Sequence, residues 1–129
     1  MSIEENKKVA QSFIDAIQRS HAAAVREVCA ADLAQIVIEN WIPMRDRRWG
    51  DRTLEIAEMV AEGERVWGQL ADNGRQIGEW LGLPATGKPS SGSGVGFMRL
   101  SGGKGVEFRQ IWDELRRGRQ HCAKLALAE

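Results

Sequence analysis

Gly82-Leu83-Pro84-Ala85-Thr86-Gly87-Lys88 is the stretch around which this chain of 129 residues organises itself. Two glycines and a proline within seven residues mark a loop, and extended segments closed by turn residues lie on both sides of it. Upstream, Leu54 and Ile56 alternate with Thr53, Glu55 and Ala57, a period of two that predicts a strand from Arg52 to Glu62-Gly63. Arg65 to Ala71 reads as the returning strand. Asp72-Asn73-Gly74 reads as a hairpin turn, because Asn and Gly tolerate positive φ, and Arg75 to Leu81 as a further strand. Downstream, Ser90 to Leu100 predicts a strand, Ser101-Gly102-Gly103-Lys104 a turn, and Gly105 to Trp112 a last strand that ends at Asp113. Gly92, Gly94 and Gly96 weaken their strand but permit sharp curvature.

The N-terminal part has a different period. Val9, Phe13 and Ile17 fall four apart, with Ala10 and Ile14 widening the stripe, so residues 3 to 20 predict an amphipathic helix. Ser2 followed by Glu5 fits a capping box at its start. Ala22 to Ala31 predict a second helix with Ser20 as cap. Gln35 to Glu39 is β-branched and extended in character. Trp41 to Gly50 carries no regular signal, and Glu114 to Ala128 returns to helical composition, interrupted by Gly118. Helices first and hairpins after predict an α+β fold over residues 1–129 as one domain. Its strongly curved antiparallel sheet forms a cone, covered on one face by the N-terminal helices, with a short C-terminal helix. Ligand pockets tend to lie in such a concavity.

Composition narrows the function classes. Eighteen basic residues balance eighteen acidic ones, so no global field draws the chain to nucleic acid or anionic lipid. No apolar run approaches the roughly 20 residues of a membrane helix, and the acidic start Met1-Ser2-Ile3-Glu4-Glu5 is unlike a signal peptide. Cys29 and Cys122 lack metal-ligand spacing and read as reduced, buried thiols. A cytoplasmic protein without nucleic-acid or membrane partners is the expectation, and no residue set predicts a metal site.

Several motifs together resemble those of the SnoaL-like polyketide cyclases, in the superfamily that shares the cone fold of nuclear transport factor two. They are Val60-Ala61-Glu62-Gly63-Glu64-Arg65-Val66, Gly78-Glu79-Trp80-Leu81 running into the Gly82 to Lys88 loop, Met98-Arg99-Leu100, Gly103-Lys104, and Val106-Glu107 with Asp113 six residues beyond. The resemblance covers roughly residues 1 to 35 and 52 to 120. It implies intramolecular aldol ring closure of a small apolar, carbonyl-bearing compound, without cofactor or metal, with Asp113 as general acid/base. Three departures accompany it. Only Trp41 to Asp51 fill a segment that the family usually has longer, so one pocket wall is short or comes from a partner subunit. Gln76 stands where the family often has a histidine, and the histidine that assists the aspartate would fall near Arg99. Arg109 replaces a common tryptophan.

Strand alternation places Asp113, Ile111, Arg109 and Glu107 on one face, and Trp112, Gln110 and Phe108 on the other. With the first set inward, Asp113 and Arg99 are the candidate catalytic pair. Trp67, Trp80, Gln76, Arg109 and Ile111 are then the candidate ligand-binding residues, and Trp112 is left for an interface. Structural roles compete at each position. Asp113 before Glu114-Leu115 also makes a good helix start, the arginines suit surface ion pairs, and the tryptophans suit core packing. The chain has no tyrosine, which argues against the hydroxyl-dependent ketosteroid isomerases and limonene-type epoxide hydrolases of the same superfamily. The alternative to an enzyme is a non-catalytic small-molecule-binding or structural homodimer of the same fold. A homodimer is expected in either case, because helices cover only one face of the sheet.

Overall fold

The computed structural model describes residues 2–121. Helix α1 (Ile3–Gln18) begins on the expected capping box: the Glu5 backbone N–H donates to Ser2 Oγ at 3.1 Å, and Glu5 Oε1 accepts from the Ser2 N–H. Phe13, Ile14, Ala16 and Ile17 form its buried stripe and lie against the sheet. Asn6, also buried, donates from Nδ2 to the Gly63 carbonyl and ties the start of α1 to a hairpin 57 residues away.

Helix α2 (Ala22–Val28) is capped by His21, whose Nδ1 accepts from the Ala24 N–H at 3.0 Å. Ser20 was the expected cap. It instead takes positive φ and hydrogen-bonds with its hydroxyl to Asp46 and Arg52. Helix α3 (Ala31–Ile36) runs through a π-helical turn (Val37–Trp41) into α4 (Ile42–Arg48). The expected extended segment Gln35 to Glu39 is therefore helical. Leu33, Ala34 and Val37 are buried on one side of it, and burial of that stripe outweighs the weak β preference of Val and Ile. Pro43 sits at the first turn of α4, where its missing N–H is harmless.

The sheet has the order β1-β2-β3-β4, antiparallel throughout, and is curved into the expected cone. Strand β1 spans Trp49–Glu62, β2 Arg65–Gln76, β3 Pro89–Ser101 and β4 Lys104–Trp112. Asp72-Asn73-Gly74 is not a turn. Asn73 pairs with Thr53 on one side and Ser91 on the other, so ladder bonds from both neighbours hold it extended. β2 continues to Gln76, and residues 77–88 form a long connection in place of the expected strand from Arg75 to Leu81. Irregular register at Gly50/Thr53, Ile56/Glu58 and Arg99/Leu100 adds local bending. The concave face carries Leu54, Val66, Leu70, Met98, Leu100 and Phe108, which meet the helices in one core. Helix α5 (Glu114–His121) packs on β3; the remainder of the expected C-terminal helix and Cys122 lie outside the described residues.

Candidate functional site

The parity of β4 decides where the site lies. Phe108 is buried against Phe13 of α1 at 4.9 Å between ring centroids and against Trp41 at 5.6 Å. That packing turns Gln110 and Trp112 toward the concave side and sends Arg109, Ile111 and Asp113 outward, the reverse of the expected orientation. Ile111 is 78% exposed. Arg109 is exposed, pairs with Glu107 at 3.2 Å and lies over the Phe97 ring; Arg99 pairs with the same Glu107. Trp67 packs on Phe97 on this outer face and is 49% exposed. Asp113 is exposed and starts α5: its Oδ1 accepts the Arg116 N–H at 2.9 Å and its carbonyl accepts from Arg117. Its carboxylate thus serves the capping role that the sequence also allowed.

A hollow of about 120 Å³ lies on the concave side, between α1, α4, the sheet and α5. Trp41, Trp49, Trp80 and Trp112 give it aromatic walls, and Arg45, Arg48, Asp72, Gln110, Glu114 and Arg117 give it polar ones. Of the expected ligand-binding residues, Trp80 lines this hollow. Gln76 lies beside it, fully buried, and is occupied. Its Nε2 donates toward the carbonyls of Gly78, Leu83 and Pro84, and its Oε1 accepts from the Thr86 N–H and from Thr86 Oγ1 at 2.7 Å. Gln76 therefore pins the 77–88 connection, the loop that carries Trp80, rather than offering an amide to a ligand.

Asp72 of β2 and Arg117 of α5 form a buried ion pair, 2.8 Å from Nη2 to Oδ1. Arg117 also donates to Ser90 Oγ at 3.1 Å and stacks over Trp49, 4.9 Å from the ring centroid. The β3 glycines make room for this. A Cβ on Gly92 would overlap the Arg117 guanidinium, one on Gly94 would crowd Trp112 at 2.9 Å, and one on Gly96 would press Leu70 and Phe108 at 3.0 and 3.2 Å. Their absent side chains accommodate the hollow's own walls.

Arg45 hydrogen-bonds through Nη1 to the Ile17 carbonyl at 3.2 Å. Burial, first, and the neighbouring Arg52 charge push its guanidinium down to about 10, so it remains charged at neutral pH. His121 is buried between Trp49 and Trp80. Because Gln76 Oε1 can only accept, the Thr86 hydroxyl spends its proton there, and the 3.1 Å contact from Thr86 Oγ1 to His121 Nδ1 is donated by the imidazole. Nε2 then carries the lone pair, with no partner among the described residues. Burial, then the charges of Arg117 and Lys88, lower the affinity of this ring for a second proton.

Sequence reasoning missed Asp72, Arg45, Gln110 and Arg117. Asp72 was hidden by the turn-like Asp-Asn-Gly, and Arg45 stood in a segment without regular signal. Gln110 was named only on the face expected to point away. Among the described residues no group of His, Cys, Asp and Glu is placed to hold a metal ion, and no helix is long and apolar enough to cross a membrane.

Comparison with known proteins agrees with this fold. The structure is similar to TsrD from Streptomyces laurentii, with a TM-score of 0.85 and 18% identity over 95% of this chain and 98% of that one. IdmH from Streptomyces antibioticus superposes with a TM-score of 0.75 at 18% identity, covering 89% of this chain and 96% of IdmH. An NTF2-like protein from Burkholderia thailandensis gives 0.71 at 19% identity, covering 89% and 94%. At these identities the likeness shows the fold. No curated protein sequence matches the chain. The family model for SnoaL-like polyketide cyclases matches residues 44–121, more than half of the sequence, and the chain belongs to that family.

Proposed function

We propose that the chain binds a small apolar carbonyl compound in the concave hollow and promotes enolisation there, the step that opens an aldol-type cyclisation or an isomerisation. Such chemistry needs one base and one donor held near the carbonyl in a water-poor site, and no metal or cofactor. The observation that carries this reading is the placement of Asp72, Gln110 and Trp80 together on the hollow, while the Asp113 carboxylate caps α5 from outside. In this reading Asp72, whose Oδ1 is held by Arg117, removes an α-proton through Oδ2. Gln110, whose Oε1 accepts from Trp112 Nε1 at 2.9 Å, has its amide N–H groups available to the developing enolate oxygen. Asp72 thus replaces Asp113 as the general base.

A direct test is α-proton exchange of acetylacetone, a diketone small enough for the hollow, in D2O with EDTA present, followed by NMR. Exchange above the buffer rate is expected for the wild type and for Asp113→Asn, with loss in Asp72→Asn. Loss in a folded Asp113→Asn, with exchange retained in Asp72→Asn, would return the role to Asp113. The non-catalytic alternative is favoured by one observation, the prior commitment of Asp72 to Arg117. Its signature is quenching of tryptophan fluorescence by acetylacetone with no exchange above buffer.

The outer sheet face belongs to the same proposal. Val60, Trp67, Val95 and Ile111 are exposed there together, an apolar surface that a second copy of the chain would cover. A homodimer in a cytoplasmic setting is the assembly we propose, and sedimentation velocity at micromolar concentration tests it. A monomer would remove it.

A further inference from the structure

Three guanidinium groups, Arg45, Arg48 and Arg117, line the hollow against two carboxylates, Asp72 and Glu114. Arg117 is satisfied by Asp72 and Ser90. Arg45 is not comparably matched. It uses one N–H on the Ile17 carbonyl and makes no ion pair within 4 Å among the described residues, although a guanidinium offers five donors in a planar fork. A positive charge held at the edge of an aromatic hollow, with no carboxylate in direct contact among the described residues, is an arrangement that an anionic ligand completes, because charge-assisted bidentate contacts are the strong ones. Burial, first, and then Arg52 lower its proton affinity, and Asp72 and Asp46, beyond ion-pair distance, offset only part of that.

Size restricts the ligand further. The hollow of about 120 Å³ is near the roughly 150 Å³ at which an apolar cavity takes up one benzene ring, and below the roughly 300–1,000 Å³ of pockets for drug-sized molecules. The four tryptophans offer flat apolar walls, suited to a planar body.

We infer that the carbonyl compound this hollow selects carries a carboxylate on a compact apolar body, a one-ring aromatic or similarly short planar acid, with Arg45 receiving the carboxylate and the tryptophans the ring. The inference rests on the reading of the hollow as the ligand site and adds the charge and size of what enters it.

Benzoate and its neutral isostere benzamide separate the two levels. Titrated against the wild type by calorimetry and tryptophan quenching, benzoate is expected to bind at least about tenfold more tightly than benzamide. Arg45→Gln is expected to erase that preference by weakening benzoate far more than benzamide, and 2-naphthoate to bind more weakly than benzoate. Equal affinity for acid and amide in the wild type, or a preference that survives Arg45→Gln, overturns the inference and leaves the ligand site standing. Failure of both probes to bind removes the site as well. Should Arg45→Gln not fold, the wild-type comparison of acid with amide still decides.

Discussion

Arg117 and Asp72 join the last described helix to the middle of the sheet: Nη2 and Oδ1 stand 2.8 Å apart, with both side chains largely out of solvent. With this pair, the Arg117–Ser90 bond and the bonds between Gln120 and Ser91, α5 closes over the cone and brings Trp49, Trp112 and His121 into a single wall. Breaking one half of a buried pair leaves the other charge uncompensated. Arg117→Leu is expected to lower stability by about 3–5 kcal/mol, and Arg117→Lys by less, as measured by urea unfolding. A loss below about 1 kcal/mol in Arg117→Leu would show that the pair does not hold α5.

Gly92 approaches that pair so closely that a methyl group would occupy the guanidinium's place. Gly92→Ala is therefore expected to displace Arg117, expose Trp49 and cost about 1–3 kcal/mol. Gly63→Ala is the control: nothing stands within 4 Å of its Cβ position, so its cost is the positive φ alone. Near-UV circular dichroism should change in the first variant and stay native in the second.

Asp113 contributes as a cap. Asp113→Ala is expected to lose about 0.5–2 kcal/mol and Asp113→Asn almost nothing, since asparagine accepts the Arg116 N–H equally well. Equal losses in the two variants would argue for a charge-dependent role instead.

His121 makes stability depend on pH in a definite direction. Its affinity for a proton is depressed in the folded state, by burial first and then by Arg117 and Lys88. The unfolded chain therefore binds this proton more readily. The stabilising contribution is complete above the unfolded pKa of about 6.5 and falls as pH drops through the lower folded value. Comparing Tm between pH 5 and 8, the wild type should lose more stability toward pH 5 than His121→Gln. Parallel curves would contradict the assignment.

Cys29 is buried, and burial raises its thiol to about 11. In a Cys122→Ser variant, native protein at pH 8 should resist alkylation by iodoacetamide, with rapid labelling only after unfolding in urea. Rapid labelling of the native form would show that the thiol is reached by local opening.

Several features were legible because they are local. The spacing of Phe13, Ile14 and Ile17 and the Ser2–Glu5 box specify α1 without outside help. Glu62-Gly63 and Gly102-Gly103 mark the two tight hairpins, with positive φ at Gly63, Gly102 and Gly103. Asn73-Gly74 carries the same local signal, yet β2 lies between two partners, and their ladder bonds override it.

What the amino-acid order determined by itself was the α+β class, the curved sheet and the division of β4 into two alternating faces. Which face looks inward was decided by tertiary packing, since both contain polar and apolar groups and alternation is blind to direction. Phe108 finds Phe13 and Trp41, and that contact turns Gln110 and Trp112 into the hollow and Asp113 away from it. The meeting of Asp72 with Arg117, 45 residues apart, likewise exists only once helix and sheet have closed on each other.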